Sequence, residues 1–287
     1  MAAITGKSTL WIAVLVIAGI AAFLLHVENT SLQVTQYQIT FADMPAEFDG
    51  FRIALVSDLH GNTFGHAQAV LVSEISRFEP DLIAISGDLF DERPFSGGPA
   101  FALLEGIHGL APVYYVTGNH EIWSERFDSV QGQIEKSGVV VLRNQVQEYT
   151  RGNSKIYIGG LDDPSVFGPE SPRQKQQYEQ VLSRITGDME TGAFTVLLAH
   201  RPQFMDTYSS CGANLVLAGH AHGGLIRLPG IGGLIAPGQG LKPRYTSGLY
   251  TKGNTTMVVG RGLGNSGFYQ IRVFNRPELV LVTLRCK

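Results

Sequence analysis

Five times in this chain a short, β-rich apolar run ends within a few residues of a histidine or an acid. The run 51–56 (FRIALV) leads into Ser57-Asp58-Leu59-His60, 82–86 into Gly87-Asp88-Leu89-Phe90-Asp91, and 112–116 into Gly118-Asn119-His120-Glu121. Further on, 195–198 leads into Ala199-His200-Arg201 and 215–217 into Gly219-His220-Ala221-His222-Gly223. Apolar runs bounded by turn residues read as buried strands, and polar groups just past their ends sit on loops held by a rigid frame. A fold that buries these strands side by side gathers five polar loops.

Helical spacing separates the first strands. Val70, Leu71, Ile75 and Phe78 fall on one face of 66–78, Pro80 stops that helix, and 101–108, 130–136 and 172–186 read the same way. After residue 250 the pattern changes, because 255–259, 270–274 and 279–284 read as strands with no helix between them. A single parallel sheet cannot take so many unbridged strands, so the expected fold class is α/β with two packed mixed sheets flanked by helices. Residues 31–40 add a strand, 226–240 is Gly- and Pro-rich and reads as a loop or hairpin, and no repeat or linker follows residue 50. Residues 31–287 are thus expected to form one catalytic domain.

Residues 1–30 read as a separate unit. The run 10–25 (LWIAVLVIAGIAAFLL) carries no charge and, with His26 and Val27, approaches the ~20 residues a spanning helix needs. No small-x-small cleavage site precedes Glu28, so a retained anchor is preferred over a cleaved signal or a buried helix. Lys7 before the run and Glu28, Asp43, Glu47 and Asp49 after it favour a single-pass protein with its catalytic domain outside the cytoplasm. The formal charge of −3 gives no basic footprint for a nucleic-acid backbone, and a small phosphorylated or lipid-linked substrate is expected instead. Cys211 and Cys286, far apart and outside any CxxC pattern, exclude a zinc ribbon and read as buried free thiols.

Each polar segment alone has an ordinary explanation, since Asp after Gly is common in turns and a lone His usually satisfies a hydrogen bond. Together they hold five of the chain's eight histidines, while His26, His66 and His108 lie in the anchor or in helical stretches. Mixed imidazole and carboxylate donors suit Mn, Fe, Zn or Ni. A carboxylate such as Asp88 can bridge two ions about 3.5–4 Å apart, a geometry suited to phosphoryl chemistry.

The order D-x-H, G-D-x-x-D, G-N-H-[DE], H and G-H-x-H resembles the calcineurin-like metallophosphoesterase superfamily, from residue 51 to about 284. The flanking GHAHGG (219–224), LPG (228–230), SGLY (247–250), RGLG (261–264) and RPE (276–278) are similar to its membrane-associated branch, which includes bacterial phosphodiesterases of the YkuE and YaeI type. The resemblance implies a four-layer sandwich and two divalent ions. It places Asp58, His60, Asp88 and His222 around one ion and Asp88, Asn119, His200 and His220 around the other, with His120 as a non-ligand acid oriented by Asp91. It further implies attack on phosphorus by a metal-bridging hydroxide, with Asn119 and His120 meeting phosphoryl charge.

Where many relatives carry an arginine after G-D-x-x-D, this chain has Glu92 and then Arg93. Arg201 is the substrate-binding candidate in its place, ahead of Lys242 and Arg261. Asp162-Asp163-Pro164 reads as a turn, Trp123 and Phe127 as core, and the glycines of 223–233 as turn-formers rather than a lip over the site. The expected activity is hydrolysis of a phosphodiester or pyrophosphate on a membrane- or envelope-associated substrate. The alternatives are a cytoplasmic-face UDP-2,3-diacylglucosamine pyrophosphate hydrolase of lipid A synthesis and a non-catalytic metal-binding membrane protein.

Overall fold

In chain order the computed structural model runs α1 (Gly6–Thr30), β1 (Gln33–Phe41), β2 (Arg52–Val56), α2 (Ala69–Phe78), β3 (Leu82–Ser86), α3 (Gly98–Ile107), β4 (Val113–Val116), α4 (Asn119–Trp123), α5 (Phe127–Lys136) and β5 (Val139–Val141). It continues with β6 (Gln145–Arg151), β7 (Ser154–Gly160), α6 (Pro172–Gly187), β8 (Thr195–Leu198), α7 (Met205–Ser210), β9 (Leu215–Ala218), β10 (Gly248–Lys252), β11 (Thr255–Val259) and β12 (Glu278–Cys286). Two short ribbons, Arg227–Leu228 with Gly232–Gly233 and Ile235–Ala236 with Gly240–Leu241, lie between β9 and β10. The structure describes residues 6–92, 97–187, 189–190, 192–265 and 271–287.

Two six-stranded mixed sheets form, in the orders β1-β12-β2-β3-β4-β5 and β10-β11-β9-β8-β7-β6. Side-chain alternation sets how they stack. Ile53 and Leu55 of β2 face the second sheet and pack with Ile158, Val196, Leu198 and Leu217, while Ala54 and Val56 face away, among Leu71, Ile75 and Leu104 of α2 and α3. The outer face of the second sheet is covered by Tyr178 and Leu182 of α6 and Tyr208 of α7. Each fully buried Leu, Ile or Phe contributes roughly 1.5–3 kcal/mol, and strands covered on both faces need the unbroken apolar runs found here. The result is the expected helix–sheet–sheet–helix order.

β12 lies between β1, to which it runs parallel, and β2, to which it runs antiparallel. Sequence reasoning placed this strand but missed β6 and β10, which close opposite edges of the second sheet. Their side chains are half-buried or exposed, so no buried stripe marks them. The strand expected at 270–274 does not form among the described residues, residue 270 itself lying outside them; only Val273 bridges, to Ile226. The reason is local: Arg272 is buried, its guanidinium donates to the carbonyls of Arg261, Gly264 and Asn275, and its backbone N–H donates to the Asn29 side chain. Cys211 and Cys286 are unbridged and half-buried rather than buried. In α1, the 21 residues Leu10–Thr30 contain an 18-residue window of mean hydropathy 2.6, none of it buried, and at 1.5 Å per residue they span about 31 Å.

Candidate metal centre

The two sheets meet so that the C-terminal ends of β2, β3, β4, β8 and β9 converge. Asp58, Asp88, His200, His220 and His222 follow four of these strands and Asn119 begins α4 after the fifth; all are buried, as is His60. Reversing each chain this sharply requires left-handed backbone, and Asp58 (φ 49°), His60 (46°), Asp88 (51°), His220 (63°) and His222 (45°) all adopt it. Asp and His tolerate that region better than most residues, but each instance still costs of order 1–2 kcal/mol. Five in one place mark a strained, over-determined site.

Two clusters result. Asp58, His60 and His222 form one, and Asp88, His200 and His220 the other, each with donor atoms within 4.8 Å of one another. Asp88 joins them: its Oδ2 is 3.1 Å from His200 Nε2 and 3.6 Å from His60 Nε2. His222 Nε2 lies 3.6 Å from Asp58 Oδ1, and His220 Nδ1 lies 3.2 Å from His200 Nε2. Beside them His60, Asp91 and His120 come together, with His120 Nδ1 2.9 Å from Asp91 Oδ1. The structure thus brings every sequence-derived ligand and acid candidate except Arg201 into these clusters or, for Asn119, onto the turn that carries His120.

The donor set suits cations. Both ring nitrogens of His60, Nε2 of His220 and Oδ1 of Asn119 are buried and have no hydrogen-bond partner among the described residues, a cost a divalent ion would remove. His200 Nδ1 is 2.7 Å from the Ser86 carbonyl, which fixes its proton there and turns Nε2 toward Asp88. Burial, with His200 as a positive neighbour, holds His220 well below the usual imidazole range; burial and His60 do the same to His222, so both are neutral donors. Burial opposes the charge on Asp88, yet His200 and His120 keep its carboxyl well below the ordinary value. At His120 burial disfavours the proton, but Asp88 and then Asp91 outweigh it and raise the pKa to about 9.

One residue of the site was missed in the sequence. Glu121, fully buried, accepts backbone N–H groups from Asp88 (2.9 Å) and Gly118 (2.7 Å) at Oε2 and from Phe90 (2.9 Å) at Oε1. It ties the loop after β3 to the turn that carries Asn119 and His120. The signal was present, since an acid three residues after Gly118 has the spacing of a helix capping box. Glycine is required beside it: a Cβ on Gly118 would collide with the Asp88 carboxylate, and one on Gly219 with that of Asp58.

Residues 51–224 match the family model described as calcineurin-like phosphoesterase. The chain belongs to this family. It is 30% identical to the uncharacterized metallophosphoesterase YkuE of Bacillus subtilis, over 91% of this chain and 88% of that one. It is also 29% identical to the phosphodiesterase YaeI of Escherichia coli, over 82% of each chain. A zebrafish protein named as a transmembrane protein with metallophosphoesterase domain is 28% identical over 88% of this chain and 57% of its own length.

In this calcineurin-like phosphoesterase the surroundings of the clusters differ in places from expectation. Arg201 is buried and forks onto Asp163, with Nε 2.7 Å from Oδ2 and Nη2 3.0 Å from Oδ1. Asp163 also caps the turn Pro164–Phe167, and Asp162 is held by Thr117 and Arg143, so the acidic pair is engaged by protein. Arg201 and His220 both border a cavity of about 570 Å³. Trp123, expected in the core with Phe127, instead lines that cavity and is 49% exposed, its ring 5.5 Å from that of His120; Phe127 is buried against Tyr115. Its position one turn past His120 puts it at the mouth of the site, which helical spacing alone did not distinguish from core. Arg93 lies outside the described residues.

Proposed function

We propose that this phosphoesterase hydrolyses a phosphodiester or pyrophosphate bond using two divalent ions, Mn, Fe, Zn or Ni. Asp58, His60, Asp88 and His222 would hold one ion, and Asp88, Asn119, His200 and His220 the other. The observation that carries this is Asp88 Oδ2, which sits between His200 Nε2 at 3.1 Å and His60 Nε2 at 3.6 Å, where a bridging carboxylate belongs. Bound there, the ions would supply a hydroxide nucleophile at neutral pH and offset charge on the phosphoryl oxygens.

The chain's own groups do the rest. Asp91 holds His120 through Nδ1 and turns Nε2 toward the leaving group, to which His120 donates a proton. Its raised pKa keeps that proton in place at neutral pH. Asn119, whose buried Oδ1 is free to ligate, would hold an ion through that oxygen and would offer its amide N–H to a phosphoryl oxygen, and Arg201, fixed by Asp163, offers positive charge from the cavity wall. A store for metal would need neither the Asp91–His120 pair nor a cavity beside it.

The similarity to YaeI, named a phosphodiesterase, favours a diester, and the exposed apolar α1 supports a single membrane span, with a lipid-linked or envelope-associated substrate. Lys7 before the apolar run and Glu28, Asp43, Glu47 and Asp49 after it support a catalytic domain outside the cytoplasm. Cleavage of UDP-2,3-diacylglucosamine on the cytoplasmic face is the second reading, and a reporter fused after Lys287 separates the two. The test of chemistry uses the full chain in detergent with Mn²⁺ and a chromogenic bis-phosphodiester. Asp88→Asn and chelation should each reduce turnover at least ~10³-fold, within the range metal and electrostatic stabilisation supply. Turnover that survives both removes the proposal.

A further inference from the structure

The last turn of α1 is bonded to the catalytic domain. Glu28 Oε2 accepts the Asn275 N–H at 2.7 Å, Asn29 Oδ1 accepts the Arg272 N–H at 2.7 Å, and Asn29 Nδ2 donates to the Arg272 carbonyl at 3.0 Å. Apolar side chains stand open to solvent on either side of this junction: Ile271 is 61% and Phe274 59% exposed. Val273 between them bridges to Ile226, just before the first short ribbon, where Leu228 is exposed and Ile231 is 72% exposed at the turn. A soluble surface seldom concentrates large apolar groups in this way without a partner.

Charge on this part of the chain points the same way. Between Asp206 and Glu278 there is no acid, while Arg227, Lys242, Arg244 and Arg261 all fall there, in a chain whose overall charge is −3. Lys242 and Arg244, just beyond the second ribbon, are exposed. An apolar rim bonded to the end of an apolar helix of spanning length, in a stretch of chain that carries cations and no acid, fits the interface of an anionic bilayer. The rim also connects to the metal centre, because Asn275 Nδ2 donates to the carbonyls of His222 (2.7 Å) and Leu225 (3.0 Å).

We propose that Ile226, Leu228, Ile231, Ile271 and Phe274 insert into the headgroup region of an anionic bilayer, so that the metal centre works on phosphoesters lying in that surface. This rests on the reading of α1 as a bilayer span and assigns the catalytic domain a second, independent contact with lipid. It sets the substrate class as a phosphodiester on a lipid anchor rather than a freely diffusing one.

The test uses the full chain carrying Cys211→Ser and Cys286→Ser, reconstituted in phosphatidylglycerol–phosphatidylcholine vesicles. Single nitroxide labels are placed at positions 231, 274, 14 and 147, and collision with oxygen is compared with collision with a water-soluble nickel chelate. Labels at 231 and 274 should read as immersed, the label at 14 as deep in the acyl region, and that at 147, on the exposed edge strand β6, as aqueous. Aqueous readings at 231 and 274 with an immersed 14 overturn the inference alone, whereas an aqueous 14 overturns the reading of α1 and the inference with it. Spin–spin broadening at 231 or 274 shows a second copy on the rim instead and also overturns it. In a second readout, Ile231→Ser with Phe274→Ser should lower turnover of a vesicle-embedded diester at least fivefold and leave a soluble diester unchanged. Equal loss on both substrates, or on neither, refutes the claim.

Discussion

Replacing Glu121 by glutamine preserves shape and changes only what the side chain can accept. Three buried backbone N–H groups converge on the carboxylate, from Asp88, Gly118 and Phe90. Bonds to a charged acceptor are each worth about 1.5–3 kcal/mol, against about 1 kcal/mol for a neutral one. The best glutamine rotamer keeps its oxygen under Asp88 and Gly118 and points an NH₂ at the Phe90 N–H. Two bonds therefore weaken by roughly 1 kcal/mol each, and the third becomes an unsatisfied buried donor at about 1–3 kcal/mol.

One effect opposes this loss. Burial, and then the charge of Asp88, raise the pKa of Glu121, so a neutral amide relieves a strained charge. That relief acts on one group while the bonds serve three, and a net loss of about 2 kcal/mol is expected, or roughly 4–8 °C in melting temperature for a domain of this size. Because the clamp sets the distance between Asp88 and His120, kcat on the soluble diester should also fall at least ~10-fold, with Glu121→Asp failing to restore it. Thermal melts of the metal-loaded full chain in detergent, with kcat from the same preparations, give both numbers. A variant that melts within 1 °C of the parent and turns over within twofold would show that Glu121 does not position the loops.

Asp91→Asn should move the alkaline limb of kcat downward: His120 acts while protonated, Asp88 and Asp91 raise its pKa to about 9 against burial, and losing one of them shifts it back toward 6.5. A pH–rate profile unchanged by the substitution removes Asp91 from that role. Chelation should lower the melting temperature, and restoring each ion at 100 times its Kd should add about 2.7 kcal/mol per site, so a melt indifferent to metal contradicts the assignment. Gly118→Ala drives a Cβ into the Asp88 carboxylate and should cut turnover more than ~10-fold, as initial rates will show. Asp163→Asn loosens the Arg201 fork and should raise KM more than it lowers kcat; the reverse pattern would assign Arg201 to structure.

What could be read from the sequence follows what leaves a periodic trace. β2, β3, β8 and β9 are covered on both faces, so their apolar runs stand out, and the polar residues after them mark one rim of the sandwich. β6 and β10 lie at edges, with no fully buried side chain to mark them. The stretch 270–274 misled because its apolar residues resemble a strand, while Arg272 turns inward and takes the backbone out of any ladder. In the site, the candidates following each strand were evident from residue type alone. Glu121 was not, because its role depends on three N–H groups from two segments 30 residues apart in the chain, and Trp123 was not, because spacing does not reveal which helix face meets a cavity.

The first sheet is closed by its last strand. β12 separates β1 from β2, so β1 and the adjoining edge of β2 stay unpaired until residues 278–286 arrive. At about 5–20 residues per second, roughly 10–50 s pass between synthesis of β1 and synthesis of the strand it pairs with. Throughout that interval the emerging chain presents an unpaired edge of β2 and the unpaired β1, edges open to pairing with another chain. Its yield in a cell should therefore depend on how long that vigil lasts, and slow codons placed after β11 should be more harmful than the same codons placed before β2.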